Sequence, residues 1–141
     1  MKVDFYILTG GDENRSMHYA CRLIEKAYKH EHRVYIHVDS QSDAARIDEL
    51  LWTFGQGSFV PHECLTEREP ESPVTIGYGE RAPSGYDFLL NLSHGIPPFY
   101  QQFDRIAEIV ADNETIKHTS RQHFRHYREQ GISPESHHIN V

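Results

Sequence analysis

The sequence predicts an α/β fold, a single three-layer α/β/α domain on a mostly parallel sheet of about five strands. Three observations predict it. Val3–Leu8 (VDFYIL) and Arg33–Val38 (RVYIHV) are short runs dense in β-branched and aromatic residues. Each is followed directly by a segment whose apolar residues recur at helical spacing, and two βα units in a row favour parallel strands with helices on the faces. With 141 residues, 38% of them hydrophobic and 25% charged, the chain is long enough to bury one core without staples. Residues 1–132 are expected to form that domain, and residues 133–141 a flexible tail.

The elements follow in order. After the first strand, Thr9-Gly10-Gly11 turns the chain into a helix over about Asn14–Lys29, with Met17, Ala20, Cys21, Ile24 and Tyr28 on one face. The second strand closes at Asp39-Ser40. A second helix starts at Ser42, buries Ile47, Leu50, Leu51 and Phe54, and stops at Gly55 and Gly57. Ser58–His62 reads as a short strand that Pro61 confines to an edge or an end, and the glutamate-rich residues 63–72 as a solvated loop. Val74–Tyr78 and Tyr86–Leu92 read as two further strands. Pro97-Pro98 then opens an expected helix with Phe99, Phe103, Ile106, Ile109 and Val110 inward. A final helix spans Glu114 to Gln130 and is stopped by Gly131 and Pro134.

Composition excludes several function classes. The net charge of −7 argues against a protein that coats nucleic acid, because phosphate needs a positive counterpart. Asp4 interrupts any would-be signal peptide, and no apolar run approaches the roughly 20 residues that span a bilayer. A cytoplasmic protein without membrane contact is expected. Cys21 and Cys64 have no metal or redox spacing, and Cys21 reads as a small buried hydrophobe. The eleven histidines are scattered; His123 and His126, three apart, are the one pair that a helix brings together. Ser93-His94 lacks the surroundings of a nucleophile. The Gly10-Gly11 turn lacks both GxGxxG and the phosphate-binding lysine, and Asp12 and Asn14 there suit helix capping. No catalytic residue, metal set or cofactor is expected.

The last helix differs from the rest. Lys117, Arg121, Arg125 and Arg128 oppose only Glu114 and Glu129, so the net −7 divides into +2 on this window and −9 on the remainder. Spacings of four, four and three stack the cations within an arc of roughly 80°, with Phe124 at its edge. This is either a solvated helix face or a row of cations beside an aromatic wall, and the latter fits an acidic peptide with an apolar anchor.

The segments VDFYIL, ACRLIEKAYKHEHRVYIHVDS, IDELLWTFGQGSFVPH and DFLLNL, with the closing Arg121-x-x-Phe124-Arg125-x-Tyr127-Arg128, together resemble the chi subunit family of bacterial DNA polymerase III. The resemblance runs to about residue 132. It implies a non-catalytic accessory subunit of the clamp loader, acting in DNA replication and contacting DNA only indirectly. It also implies two partners: the psi subunit, and the acidic, Phe-terminated C-terminal tail of the single-stranded-DNA-binding protein. By position the tail site comprises Val110, Lys117, Arg121, Phe124, Arg125 and Arg128, with Phe124 where the family usually has tyrosine. The psi-facing site comprises Trp52, Phe59, Val60 and Pro61. From its own surroundings, Trp52 reads equally as a core filler or an interface anchor. The alternative to this reading is a small nucleotide-binding enzyme that uses the Gly10-Gly11 turn.

Overall fold

Polar residues punctuate the apolar runs, and the secondary structure starts and stops at them. The computed structural model describes all residues, Met1–Val141. In chain order the elements are β1 (Lys2–Thr9), α1 (Glu13–Lys29), β2 (Val34–His37), α2 (Gln41–Thr53), β3 (His62–Cys64), β4 (Val74–Gly77) and β5 (Phe88–Asn91). A 3-10 turn (Tyr100–Gln102), β6 (Arg105–Val110), α3 (Glu114–Glu129) and β7 (Glu135–Asn140) complete it. Side chains at the residue before each helix satisfy backbone donors of the first turn. Asp12 accepts from the Arg15 N–H (3.0 Å), Ser40 from Asp43 (3.2 Å) and Asn113 from Ile116 (3.1 Å), each cap stabilising its helix by about 1 kcal/mol.

The seven strands lie in the order β3-β4-β2-β5-β6-β1-β7, every neighbouring pair parallel. α1 and α2 cover one face. There Ala20, Cys21, Ile24, Ile47 and Leu51 pack on Val34, Ile36, Val74, Ile76 and Leu90. Burial pushes the Cys21 thiol up to about 12, in keeping with its role as a hydrophobe. α3 and the Phe99–Phe103 segment cover the other face, where Tyr127, Phe99, Tyr100 and Phe103 meet Val3, Phe5, Tyr35, Leu89 and Ile106. The Tyr35 ring lies so close over β4 that a Cβ at Gly77 would overlap its hydroxyl. With all strands parallel, the N-termini of α1, α2 and α3 gather at the C-terminal edge of the sheet. No helix is long and apolar enough to cross a membrane.

Three expectations need correction. The sheet has seven strands rather than about five, and one of the extra strands, β6, replaces most of the helix expected after Pro97. Phe99, Phe103, Ile106 and Val110 do recur at helical spacing. However, β6 lies between β5 and β1 with both faces buried, Ile106, Glu108 and Val110 toward α3 and Ala107 and Ile109 toward α1. A strand buried on both sides reads as a nearly continuous apolar run, and periodicity alone does not separate it from a buried helix. The strand expected at Ser58–His62 begins only at His62 and extends to Cys64, into the segment read as loop. Residues 135–140 of the expected tail form β7, paired along β1 from Asp4↔Glu135 to Thr9↔Asn140. Asp4 is fully buried and accepts from Arg105 Nε (3.2 Å) and His137 Nε2 (2.8 Å), which ties β7 to the sheet.

Candidate functional site

α3 has two flanks of opposite character, set by which of its residues face the sheet. On the inner side His123 and Tyr127 are buried beside Glu108 of β6. The Glu108 carboxylate accepts from His123 Nδ1 (3.0 Å), the Tyr127 hydroxyl (2.9 Å) and Asn91 Nδ2 (3.2 Å). His123 Nε2 donates to the His94 carbonyl at 2.9 Å. A carbonyl only accepts, so Nε2 carries a proton, and a carboxylate already taking two donors draws a second proton onto Nδ1. When doubly protonated, His123 forms a buried ion pair with Glu108. Burial opposes that charge, but the Glu108 carboxylate and the His94 carbonyl outweigh it, so the pKa of His123 is raised. Burial, reinforced by Glu108, also pushes the Tyr127 hydroxyl far above its ordinary range.

The outer flank is a shallow groove of about 430 Å³ lined by Arg121, Phe124, Arg125, Arg128 and Glu129. These positions lie at i, i+3, i+4, i+7 and i+8 along α3. Phe124 is half-buried, its ring 5.3 Å from that of Phe5 on β1, so it forms a fixed wall. Arg121, Arg125 and Arg128 are exposed and make no ion pair within the chain. Lys117 differs, for it pairs with Asp112 (2.8 Å) and Glu114 (3.7 Å). Its hydrogen bond to Asp112 raises the ammonium pKa and lowers that of the carboxyl. Val110 also stands apart. It is buried under α3 and lines a separate crevice on the inner side of the helix. The structure thus brings four of the six expected residues together: Arg121, Phe124, Arg125 and Arg128.

The second expected cluster sits at the other end of the sheet, beside β3. Trp52 and Phe59 are 54% and 61% exposed, with ring centroids 5.8 Å apart, and the Trp52 ring also lies 4.4 Å from His62. Pro61 flanks them half-buried, whereas Val60 is fully buried in the core below.

A sequence profile of the family described as "DNA polymerase III chi subunit, HolC" matches residues 1–135. The chain belongs to the DNA polymerase III chi subunit family. The protein named DNA polymerase III subunit chi in Pseudomonas aeruginosa is 37% identical over 138 residues, covering 98% of this chain and 96% of its own. The chi subunit of Haemophilus influenzae is 32% identical, with 90% of each chain covered. The chi subunit of Escherichia coli K12 is 28% identical over 80% of this chain. The crystal structure of T4 UvsW matches with a TM-score of 0.67 at 8% identity, over 99% of this chain and 41% of that one. That likeness concerns the fold alone.

Within this chi-family fold, other residues singled out by the sequence are engaged locally. The Gly10 N–H donates to Asp112 Oδ2 at 2.8 Å, and the Val141 side chain lies 2.9 Å from where a Cβ on Gly11 would sit. The turn after β1 is thus closed by the chain's own groups and offers no cradle for phosphate. Ser93 Oγ bonds to Asn91 and Gly95, and the His94 ring to Asp39 at 2.5 Å, so the two do not form a dyad. Both nitrogens of His123 are engaged, which separates it from His126 as a ligand pair. Sequence reasoning missed Asn91, Glu108 and the crevice they line. The available signal was a polar residue inside an apolar strand, Glu108 in RIAEIV and Asn91 in FLLN, because a buried polar group requires partners.

Proposed function

We propose that this chain is a non-catalytic accessory subunit of the DNA polymerase III clamp loader, joining it to the acidic C-terminal tail of the single-stranded-DNA-binding protein. The observation that carries this is the row of three unpaired arginines around Phe124 on α3. Glu129 lines the groove without pairing any of its arginines, and an acidic tail ending in phenylalanine supplies ion-pair partners for the guanidiniums and an aromatic ring for the Phe124 wall. Arg121 or Arg125 pairs the terminal carboxylate through two parallel N–H···O bonds. Phe124 has no hydroxyl, so here the wall acts by stacking. Lys117 adds field at the end of the row while remaining tied to Asp112.

Trp52, Phe59 and Pro61 form the psi-facing surface, and Val60 supports them from the core. An exposed Trp-Phe pair on a soluble face is the kind of aromatic anchor that interfaces bury. The two contacts link polymerase accessory proteins to protein-coated single-stranded DNA, and the added contact strengthens attachment without direct DNA binding. The test is calorimetric titration of a peptide with the acidic, Phe-terminated tail sequence onto the wild type and Arg121→Ala. A loss of about 1.5–3 kcal/mol is expected, the range for a charge-assisted hydrogen bond, and binding weakens with added salt. Equal binding by both proteins overturns the assignment.

A further inference from the structure

A second recess lies on the other side of α3, at the C-terminal edge of the sheet between the first turns of α1, α2 and α3. It is a crevice of about 300 Å³ with an apolar floor that includes Val38, Leu92 and Ile109 and a rim that includes Glu13, Asp39 and Asp43. Crevices at this edge of a parallel sheet, where successive connections leave on opposite faces, are where α/β folds take their ligands. Helix N-termini ordinarily draw anions. Here each is already served by a capping side chain and an acid in its first turn: Asp12 with Glu13, Ser40 with Asp43, Asn113 with Glu114. An incoming phosphate or carboxylate would meet Glu13 and Asp43, which line the crevice. Cations meet a different surface. Arg46 is the one Lys or Arg in the lining, and Glu13 holds it at 3.3 Å. His94 is bound to Asp39, and His123 to Glu108. Asp43 has no ion-pair partner.

We propose that this crevice is a second docking site, which takes an arginine- or lysine-bearing segment of a partner polypeptide. The aliphatic stem of a long cationic side chain lies on the apolar floor while its head reaches the acidic rim at Asp43. Ile116, large and exposed on the α3 wall of the crevice, gives an apolar neighbour of the cation a surface to cover. The site is opposite in charge to the Arg121–Phe124 groove on the other flank of the same helix, so one chain holds an acidic and a basic segment at once. This inference does not depend on the groove's partner.

The test uses the full chain, labelled for methyl and amide NMR, and a fluorescein-labelled hexapeptide of alternating arginine and leucine. Leu92, Ile109 and Ile116 methyl shifts are expected, with no change at Phe124, and Asp43→Lys lowers the affinity about tenfold. Thr119→Trp, which fills the crevice from α3, abolishes the shifts; circular dichroism checks that both variants keep their helices. A Phe-terminated acidic peptide perturbs the Phe124 groove equally in wild type and Asp43→Lys, which separates this proposal from the tail site. Methyl shifts absent from the crevice, or affinity unchanged in Asp43→Lys, overturn it. Equal binding by a hexapeptide of glutamate and leucine overturns it as well.

Discussion

The Arg121–Phe124 groove and the Trp52–Phe59 patch are both exposed aromatic sites, yet they are built on opposite principles. They lie on opposite faces of the sheet and near opposite ends of it. Four strand spacings separate β3 from the β6 strand beneath α3, on the order of 20 Å. In the groove the ring is half-buried and held against Phe5, and three free guanidiniums supply the field. In the patch both rings stand in solvent, and no cation stacks over either of them. A ligand of the groove is therefore expected to be selected by charge and to respond to salt, whereas one covering the patch would gain its energy from apolar burial and would not. On the proposed function, two partners of unlike chemistry would not compete for one surface.

The comparison breaks most severely at Glu108. It is 5% exposed, seats α3 through His123 and Tyr127, and is tied to β5 through Asn91. Glu108→Ala is expected to cost about 3 kcal/mol of folding free energy in urea denaturation. That is the low end for breaking a buried pair, because His123 sheds its proton. Affinity for the acidic tail falls with it, while the Trp52 patch, on the other face, keeps its apolar partner. Loss of both contacts in a still-folded variant would show that the two ends are coupled.

The converse change is Trp52→Ala. It removes about 2 kcal/mol from binding to a psi-type apolar partner, as for an aromatic anchor, and leaves tail affinity unchanged. Folding stability changes little, since more than half of the side chain is already in water. Surface plasmon resonance at two salt concentrations reads the contrast, with a salt slope for the tail and none for the Trp52 partner.

The smallest expected effect is on pH dependence. The folded pKa of His123 is raised above its ordinary 6.5, by Glu108 and the His94 carbonyl against the opposing effect of burial. Its contribution to stability is thus complete below about pH 6.5 and is lost as pH rises through the raised folded value. The urea midpoint of the wild type falls over that interval, and His123→Gln flattens this part of the profile. A midpoint that rises there instead would reverse the assigned protonation state.

How much could be read in advance depended on how local each feature is. The spacing of Lys117, Arg121, Arg125 and Arg128 on α3 follows from the helical repeat alone, as does the inward stripe of Ile47 and Leu51 on α2. β6 and β7 were not legible in that way. The apolar residues of β6 fit two periodicities, and β7 (ESHHIN) is a polar segment whose pairing partner lies more than 130 residues earlier. Val110 shows the consequence. The family resemblance grouped it with the cationic groove, but on β6 its neighbours are the sheet core and the crevice.

The sequence by itself determined the α/β class, the family, and the set of residues that ride together on α3, because side-chain periodicity and short motifs are properties of neighbouring residues. Tertiary structure alone decided which cations are free. Asp112, just past β6, takes Lys117 out of the row, while Arg121, Arg125 and Arg128 form no ion pair. It also decided that Glu108 and His123 meet as a buried pair and that three helix N-termini close around one crevice. Those outcomes depend on strand order, which is set by long-range pairing energies that no local window contains.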